Sequence, residues 1–527
     1  MATPHTSDVK AIAVKIPDLL ARPSGCISPV NRLMPTLGVF CLLTLPWLNP
    51  FTFGPTPAVG PWLFSMACAG AVLGIGAVTG LRSGGQGWAR AIVGAWLVAA
   101  LISAVIGLVQ YFGASAALAP WVNGTGLGEA YGNLRQRNQF ATFMAIGMAA
   151  LAWWVLQGGS WRVAGAAATL LALGSAASSS RTGLLQWVLL IGLAAQCGGD
   201  RRGALRRVLL VAALAYAIAT VVLPWLAGLD PMTSGAWARL RSGDEACMGR
   251  LALWSNVLHL IAQKPWFGWG WGGLDYAHFV TLYPGARFCD ILDNAHNLPL
   301  HLAVELGVPI SIAACGTGLW VVLRARPWCE TDSTRQLAWA VLALLGLHSL
   351  LEYPLWYGPF QIAAGLSVWL LWRPKCASTA WIEKEPLRPL ALVINASTAI
   401  ILIAVCGYTA WDYWRVNQLY LAHAERANAY RDNTLEKLRA SWLFKSQVQF
   451  AELTTMQLTP DNATYGFDLA RQLLHFSPEP RVVEKLIESA VMLGRDEDAA
   501  FYLTRYRVAF PAAHAQWFAD SVRHEAP

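Results

Sequence analysis

From residue 33 to residue 411 the chain is a succession of apolar runs, about eleven in all, each near the roughly 20 residues that a bilayer crossing requires. They fall at approximately 33–48, 59–80, 89–112, 138–157, 161–177, 183–197, 206–227, 298–323, 335–351, 357–372 and 389–411. Inside a bilayer the backbone has no water to bond, so runs of this kind are expected as helices. The fold class expected is therefore all-α: a polytopic membrane helical bundle. Composition agrees, with 55% hydrophobic and 13% charged residues, where soluble domains carry about 25% charged.

The distribution of charge gives an orientation. Basic residues collect in alternate loops: Arg82 and Arg90; Arg162; Arg201, Arg202, Arg206 and Arg207; Arg324, Arg326 and Arg335; Arg373, Lys375, Lys384 and Arg388. The polar segment 1–32 adds Lys10, Lys15, Arg22 and Arg32, and shows no short apolar core with a cleavage site, so no cleaved signal peptide is expected. Short basic loops mark the cytoplasmic side. This places the N-terminal tail (1–32) inside and, with an odd number of spans, the segment from 412 to 527 outside. The net charge of +8 is explained by these loops, and no nucleic-acid partner is implied.

The opposite side receives the loop 113–137, the turn 178–182, a large loop 228–297 and the turn 352–356. These hold arginines against the usual bias: GNLRQRNQ with Arg135 and Arg137, SSSRTG with Arg181, and CMGR with Arg250. They also hold DNAHNLPLHLAVELG, with His296 and Asn297 ahead of an apolar run, and HSLLEYPLWYGPF, with Glu352 and Tyr353. Each has a plain alternative. Asn297 can cap a helix, the arginines can anchor at the interface, and Glu352 and Tyr353 can shape a turn before Pro354. His301 and Glu305, four residues apart, read as a structural hydrogen-bonded pair. What sets the others apart is that all fall on one membrane face. Arginine grips phosphate with a fixed planar fork, and imidazole can take a proton from an attacking hydroxyl. No acidic cluster or Cys-x-x-Cys pair suggests a metal, and no cofactor is expected. Cys247 and Cys289 share the outer loop, where an oxidising compartment could join them.

Beyond 411 ordinary polar composition returns. AERANAYRDN, PDNATYGFDLARQLLHFSPEP and VVEKLIESAVMLGRDEDAAFYLTRYRVAFP read as consecutive helices of a small all-α domain. Its end is similar to half a tetratricopeptide-like unit closed by proline, without a clean repeat of about 34 residues.

LRQRNQFATFM, SSSRTG, GRLALWSNVLHLIAQKPWFGWGWG, DNAHNLPLHLAVELG and HSLLEYPLWYGPF, in this order over roughly residues 30 to 411, resemble motifs of the O-antigen ligase / O-oligosaccharyltransferase superfamily. Its members are bacterial inner-membrane enzymes of the GT-C type. The Glu-Tyr-Pro-Leu segment and helical extension look most like the pilin-glycosylating branch. The resemblance implies a multi-pass inner-membrane protein whose site and helical tail face the periplasm. It implies transfer of oligosaccharide from undecaprenyl pyrophosphate to Ser or Thr of a pilin or other periplasmic protein, with inversion and without metal. His296 would be the base, Arg181 and Arg250 would meet the pyrophosphate, and Gln136 and Tyr353 match positions essential in that branch. Arg135, Asn138, Asn297 and Glu352 join them by proximity. A ligase acting on lipid A-core and a glycan polymerase stay open on the same residues. A lipid-linked glycan transporter would need no base, and no internal repeat of that kind is seen.

Overall fold

A computed structural model of the chain describes residues 29–79, 85–196, 200–235, 241, 247–372 and 388–525. The segment 1–28 and the basic residues Arg82, Arg373, Lys375 and Lys384 lie outside the described residues. Among those described there is no strand, and the protein is an all-α membrane protein.

The apolar runs lie on helices α1 (Pro29–Leu48), α2 (Val59–Thr79), α3 (Gly85–Tyr111), α4 (Arg137–Leu156), α5 (Trp161–Ala177), α6 (Arg181–Gln196) and α7 (Arg202–Leu226). The long loop that follows holds α8 (Arg250–Gln263) and α9 (Leu274–Val280). Then come α10 (Leu298–Leu306), α11 (Val308–Ala325), α12 (Ser333–Ser349), α13 (Gly358–Trp372) and α14 (Arg388–Asn417). Among the described residues six helical segments are long and apolar enough to cross a membrane, and Met34–Leu48, Trp161–Ala177 and Gly358–Trp372 are shorter apolar helices. α4 is the centre, with 83% of its most apolar window buried, whereas the windows of Val308–Cys329 and Leu392–Tyr420 are 6% and 11% buried. Those outer helices present apolar side chains such as Ile312, Leu319, Ile400 and Ile401 outward, as lipid contact requires. α6 and α12 carry buried Gln186 and His348, joined through Thr142 of α4. Each turns one polar, buried face to α4.

The run expected as one span at 298–323 is two helices. Gly307 breaks it at φ 91°, and Pro309 cannot supply the next amide. The open backbone is stitched to the segment after α8: Trp269 N donates to Val304 O (2.9 Å), Gly270 N to Glu305 O (2.9 Å) and Val308 N to Pro265 O (2.8 Å). A Cβ on Gly307 would collide with the Trp266 carbonyl, so the close approach needs glycine.

α14 runs on past 411 to Asn417, and its buried Asp412 is bonded to Arg415 and to Ser441 Oγ (2.8 Å). The remaining domain comprises α15 (Thr434–Leu438), α16 (Lys445–Thr455), α17 (Ala463–Leu473), α18 (Pro480–Met492), α19 (Asp496–Ala509) and α20 (Pro511–Glu525). Two expectations are corrected. AERANAYRDN forms short 3₁₀ turns at His423–Glu425 and Asn428–Tyr430, because side chains take up the local groups: Gln418 Oε1 accepts from Ala427 N, and Arg426 reaches Leu421 O and Thr434. Pro511 opens α20 rather than closing the unit, as proline does at a first helical position. The domain's core of α16–α19 also takes in Phe279 of α9, with Tyr276 stacked on His475 at 3.7 Å and Arg505 Nε donating to Val280 O at 2.6 Å. The tail domain is thus packed onto the long loop at α9.

Candidate active site

Glu352 stands between α12, which ends at Ser349, and a short 3₁₀ turn that Pro354 opens ahead of α13. Its side chain is 4% exposed. It accepts from four side chains of three distant segments. His296 Nδ1 lies 2.8 Å from Oε2, Asn138 Nδ2 3.1 Å from Oε1 and Gln136 Nε2 3.4 Å from Oε2, and Arg250 Nη2 is paired with Oε1. Burial by itself would raise the Glu352 carboxyl. The hydrogen bond and charge of His296, with the charge of Arg250, overcome it and hold the group below the ordinary carboxylate range. An ionised Glu352 can only accept. Nδ1 of His296 must then carry the proton of this hydrogen bond, and Nε2 offers a lone pair for chemistry when the ring is neutral.

The backbone around this carboxylate is unusual in a consistent way. Among the described residues five non-glycine residues have positive φ, and three of them border the cluster: Arg135 (61°), Ser179 (51°) and His296 (49°). Such positions cost of order 1–3 kcal/mol and gather at functional sites. At His296 the turn is fixed by Asn294, whose Oδ1 accepts from His296 N at 2.7 Å, and by Trp254 Nε1, which donates to Ala295 O at 3.1 Å. The Tyr353 ring meets the imidazole edge-on, with centroids 5.0 Å apart; burial raises its phenol, which stays protonated.

Helix starts converge here. Gln136 caps α4 through Gln139 N (2.8 Å), Ser180 caps α6 through Gly183 N (3.0 Å), and Asn297 caps α10 through Leu300 N (3.1 Å). α8 begins at Arg250 itself. Ser180 Oγ donates to Asn138 Oδ1 at 2.6 Å, which ties the head of α6, and hence the exposed Arg181, to the same cluster. Asn297 Nδ2 reaches Leu350 O at 3.0 Å. Four helix N-termini carry partial positive charge toward one place, beside Arg250 and Arg181. The arrangement suits an anion with a hydroxyl to be deprotonated next to it.

Of the residues singled out from sequence, the structure brings together Gln136, Asn138, Arg250, His296, Glu352 and Tyr353 by direct contact, with Asn297 and Arg181 on adjoining helix ends. Arg135 is directed elsewhere: its Nη2 is bonded to Pro50 O and lies 3.3 Å from Asn123 Oδ1, so it braces the end of α1. His301 Nε2 is 3.6 Å from Glu305 Oε2 and makes no hydrogen bond, so that pair is one of proximity only. Cys247 and Cys289 are joined as a disulfide, three residues before Arg250 and seven before His296. Ser180, Asn294 and Trp254 had gone unassigned in the sequence. Asn two residues before a histidine at a turn is the one local signal that pointed to them.

The family model described as O-Antigen ligase matches residues 166–315, that described as Protein glycosylation ligase matches 130–155, and that described as Virulence factor membrane-bound polymerase, C-terminal, matches 336–524. These three matches make the chain similar, segment by segment, to the O-antigen ligase / O-oligosaccharyltransferase superfamily. Two curated relatives come from Acinetobacter baylyi (strain ATCC 33305 / BD413 / ADP1). The chain is 28% identical over 202 residues to a General O-oligosaccharyltransferase, covering 37% of this chain and 33% of the relative. It is 26% identical over 273 residues to a ComP-specific O-oligosaccharyltransferase, covering 50% and 47%. The chain thus spans between a third and a half of the length of the curated relatives it matches. No solved structure matches. The matched segments contain every member of the cluster around Glu352: Gln136 and Asn138 fall in 130–155, Arg181, Arg250 and His296 in 166–315, and Glu352 and Tyr353 in 336–524.

Proposed function

We propose that the protein transfers an oligosaccharide from undecaprenyl pyrophosphate to a Ser or Thr hydroxyl of a pilin or other periplasmic protein. One observation carries the reading: the buried, ionised Glu352 holds His296 Nδ1, while Arg250 and four helix N-termini face the same place. The pyrophosphate sits against Arg250, Arg181 and the helix starts. The acceptor oxygen attacks the anomeric carbon from the face opposite the diphosphate, and its proton passes to His296 Nε2. The bond from sugar to phosphate breaks with its electron pair going to the departing pyrophosphate, whose charge the arginines stabilise. One displacement inverts the anomeric centre. Charge neutralisation by arginine leaves no step that calls for a metal. The site lies on the periplasmic side of the inner membrane, and the tail domain, packed on α9, steadies the loop that carries His296.

A second reading has its own support, in the match of residues 336–524 to a polymerase family. There the acceptor is the sugar of another lipid-linked glycan, and the donor chemistry is the same. A lipid A-core acceptor would make the protein a ligase. Purified protein supplied with glycan on undecaprenyl pyrophosphate and, in separate reactions, pilin, lipid A-core and excess donor tests all three. Glycosylated pilin is the expected product. Transfer confined to lipid A-core or to a second donor would replace the protein acceptor while keeping the site.

A further inference from the structure

Three helices that build the candidate site also enclose a cavity at their opposite ends. α4, α6 and α12 meet at Gln136–Asn138, Ser180–Arg181 and Glu352. At their far ends they surround a space of about 190 Å³, lined by Ala152, Leu156, Leu190, Leu193, Trp339 and Ala340 among others. At about 1.5 Å per residue, this cavity lies roughly 17–27 Å along α4 from Asn138. The two places are joined by one seam. α6 and α12 touch midway, where Gln186 Nε2 donates to Leu344 O at 3.2 Å. Outside that contact α6 exposes Leu185 (48%), Val188 (63%) and Ile191 (43%), an apolar stripe at helical spacing on its surface.

We propose that the cavity holds the far end of a long hydrocarbon tail whose pyrophosphate is bound at the Glu352 cluster. The proposal rests on the lipid-linked donor reading given above. The space is walled mainly by alanine, leucine and tryptophan, with Gln196, Glu330, Ser333 and Gln336 also lining it, and apolar walls of this kind take up hydrocarbon. Its depth matters as well. A headgroup at the cluster leaves its tail in the bilayer beside α6, and only a tail reaching the inner half of the membrane arrives at Ala152 and Ala340. The cavity therefore acts as a ruler that favours a long polyprenyl chain over a short one. The acyl chain of an ordinary phospholipid shares the chemistry, but its occupancy would not depend on what is bound at Glu352.

The test fills the space. Ala152→Phe and the milder Ala340→Leu are compared with wild type for binding of two polyprenyl pyrophosphates, one long enough to span the distance and one too short, with transfer rates measured beside binding. The expected result is affinity for the long tail weakened about tenfold and affinity for the short tail unchanged, the Leu variant showing the smaller effect. Equal loss for both tails, loss for neither, or a wild type with no preference for the long tail would overturn the proposal; so would weakening relieved by removing phospholipid, which would assign the space to an acyl chain. If wild type binds both tails and transfers from neither, the donor reading fails, while the ratio of the two affinities still decides the cavity.

Discussion

His296 Nδ1 lies 2.8 Å from Glu352 Oε2, across 56 residues of chain, and this contact fixes both the orientation and the tautomer of the imidazole. Three other donors converge on the same carboxylate, so it is held ionised in a largely buried position. Glu352→Gln keeps the size of the side chain but offers Nδ1 a donor as well as an acceptor. It is expected to lower the transfer rate about 10²–10⁴-fold with little change in donor affinity. Steady-state kinetics with donor titration measure both. A loss confined to KM would contradict a positioning role.

The depressed pKa of Glu352 has a direction in pH. Its folded-state value lies below the ordinary 4.5, so the associated stability is present above that ordinary value and is lost as pH falls through the folded one. Acid should loosen the contact between the 293–297 turn and α12 before the rest of the bundle. Hydrogen exchange at Ala295 to Asn297 across that range measures it, and Glu352→Gln should show no such step.

Asp275, at the start of α9, behaves in the opposite sense. Burial, together with the nearby charges of Asp293 and Glu305, pushes it up to about 7. A raised acid favours the folded state when protonated, so its contribution is present below 3.8 and lost as pH rises through about 7. α9 carries Phe279 into the core of the tail domain, so the docking of that domain should weaken over the same window. Limited proteolysis between pH 5 and 9 follows the docking, and Asp275→Asn is expected to flatten the response.

The apolar runs and the cap at Asn297 were readable because each depends on local pattern: length and apolarity for the helices, a capping amide ahead of an apolar run for the turn. What stayed hidden depends on partners far away in the chain. Nothing around Glu352 shows that Gln136, Asn138, Arg250 and His296 will meet on it. Arg135 and Arg137 look alike in sequence, yet Arg135 braces Pro50 and Arg137 pairs with Glu129. Gly307 reads as an ordinary glycine of a membrane helix until Trp266 to Gly270 are placed against it. AERANAYRDN has helical composition, but side-chain bonds from Gln418 and Arg426 give its backbone another course.

That helix break is testable. Gly307→Ala puts a Cβ against the Trp266 carbonyl at φ 91°. It should cost roughly 1–3 kcal/mol or more, seen as a lower thermal midpoint in detergent. Ala at Gly316, where nothing lies within 4 Å of the added atom, is the control and should leave the midpoint near that of wild type.

The Cys247–Cys289 disulfide closes a loop with a sequence separation of 42, which limits the freedom of the segments carrying Arg250 and His296. Closing such a loop is worth roughly 2–4 kcal/mol. Cys247→Ser with Cys289→Ser is expected to reduce transfer and to increase proteolysis within 250–297, with helix content unchanged by circular dichroism.

The central claim is that His296 removes the acceptor's proton during glycan transfer. Its most direct measurement is single-turnover transfer from undecaprenyl-pyrophosphate glycan to pilin by wild type and His296→Ala, with donor binding measured on the same samples. The account predicts donor affinity within about threefold of wild type and a transfer rate lower by about 10²–10⁴. Full transfer by folded His296→Ala would contradict it.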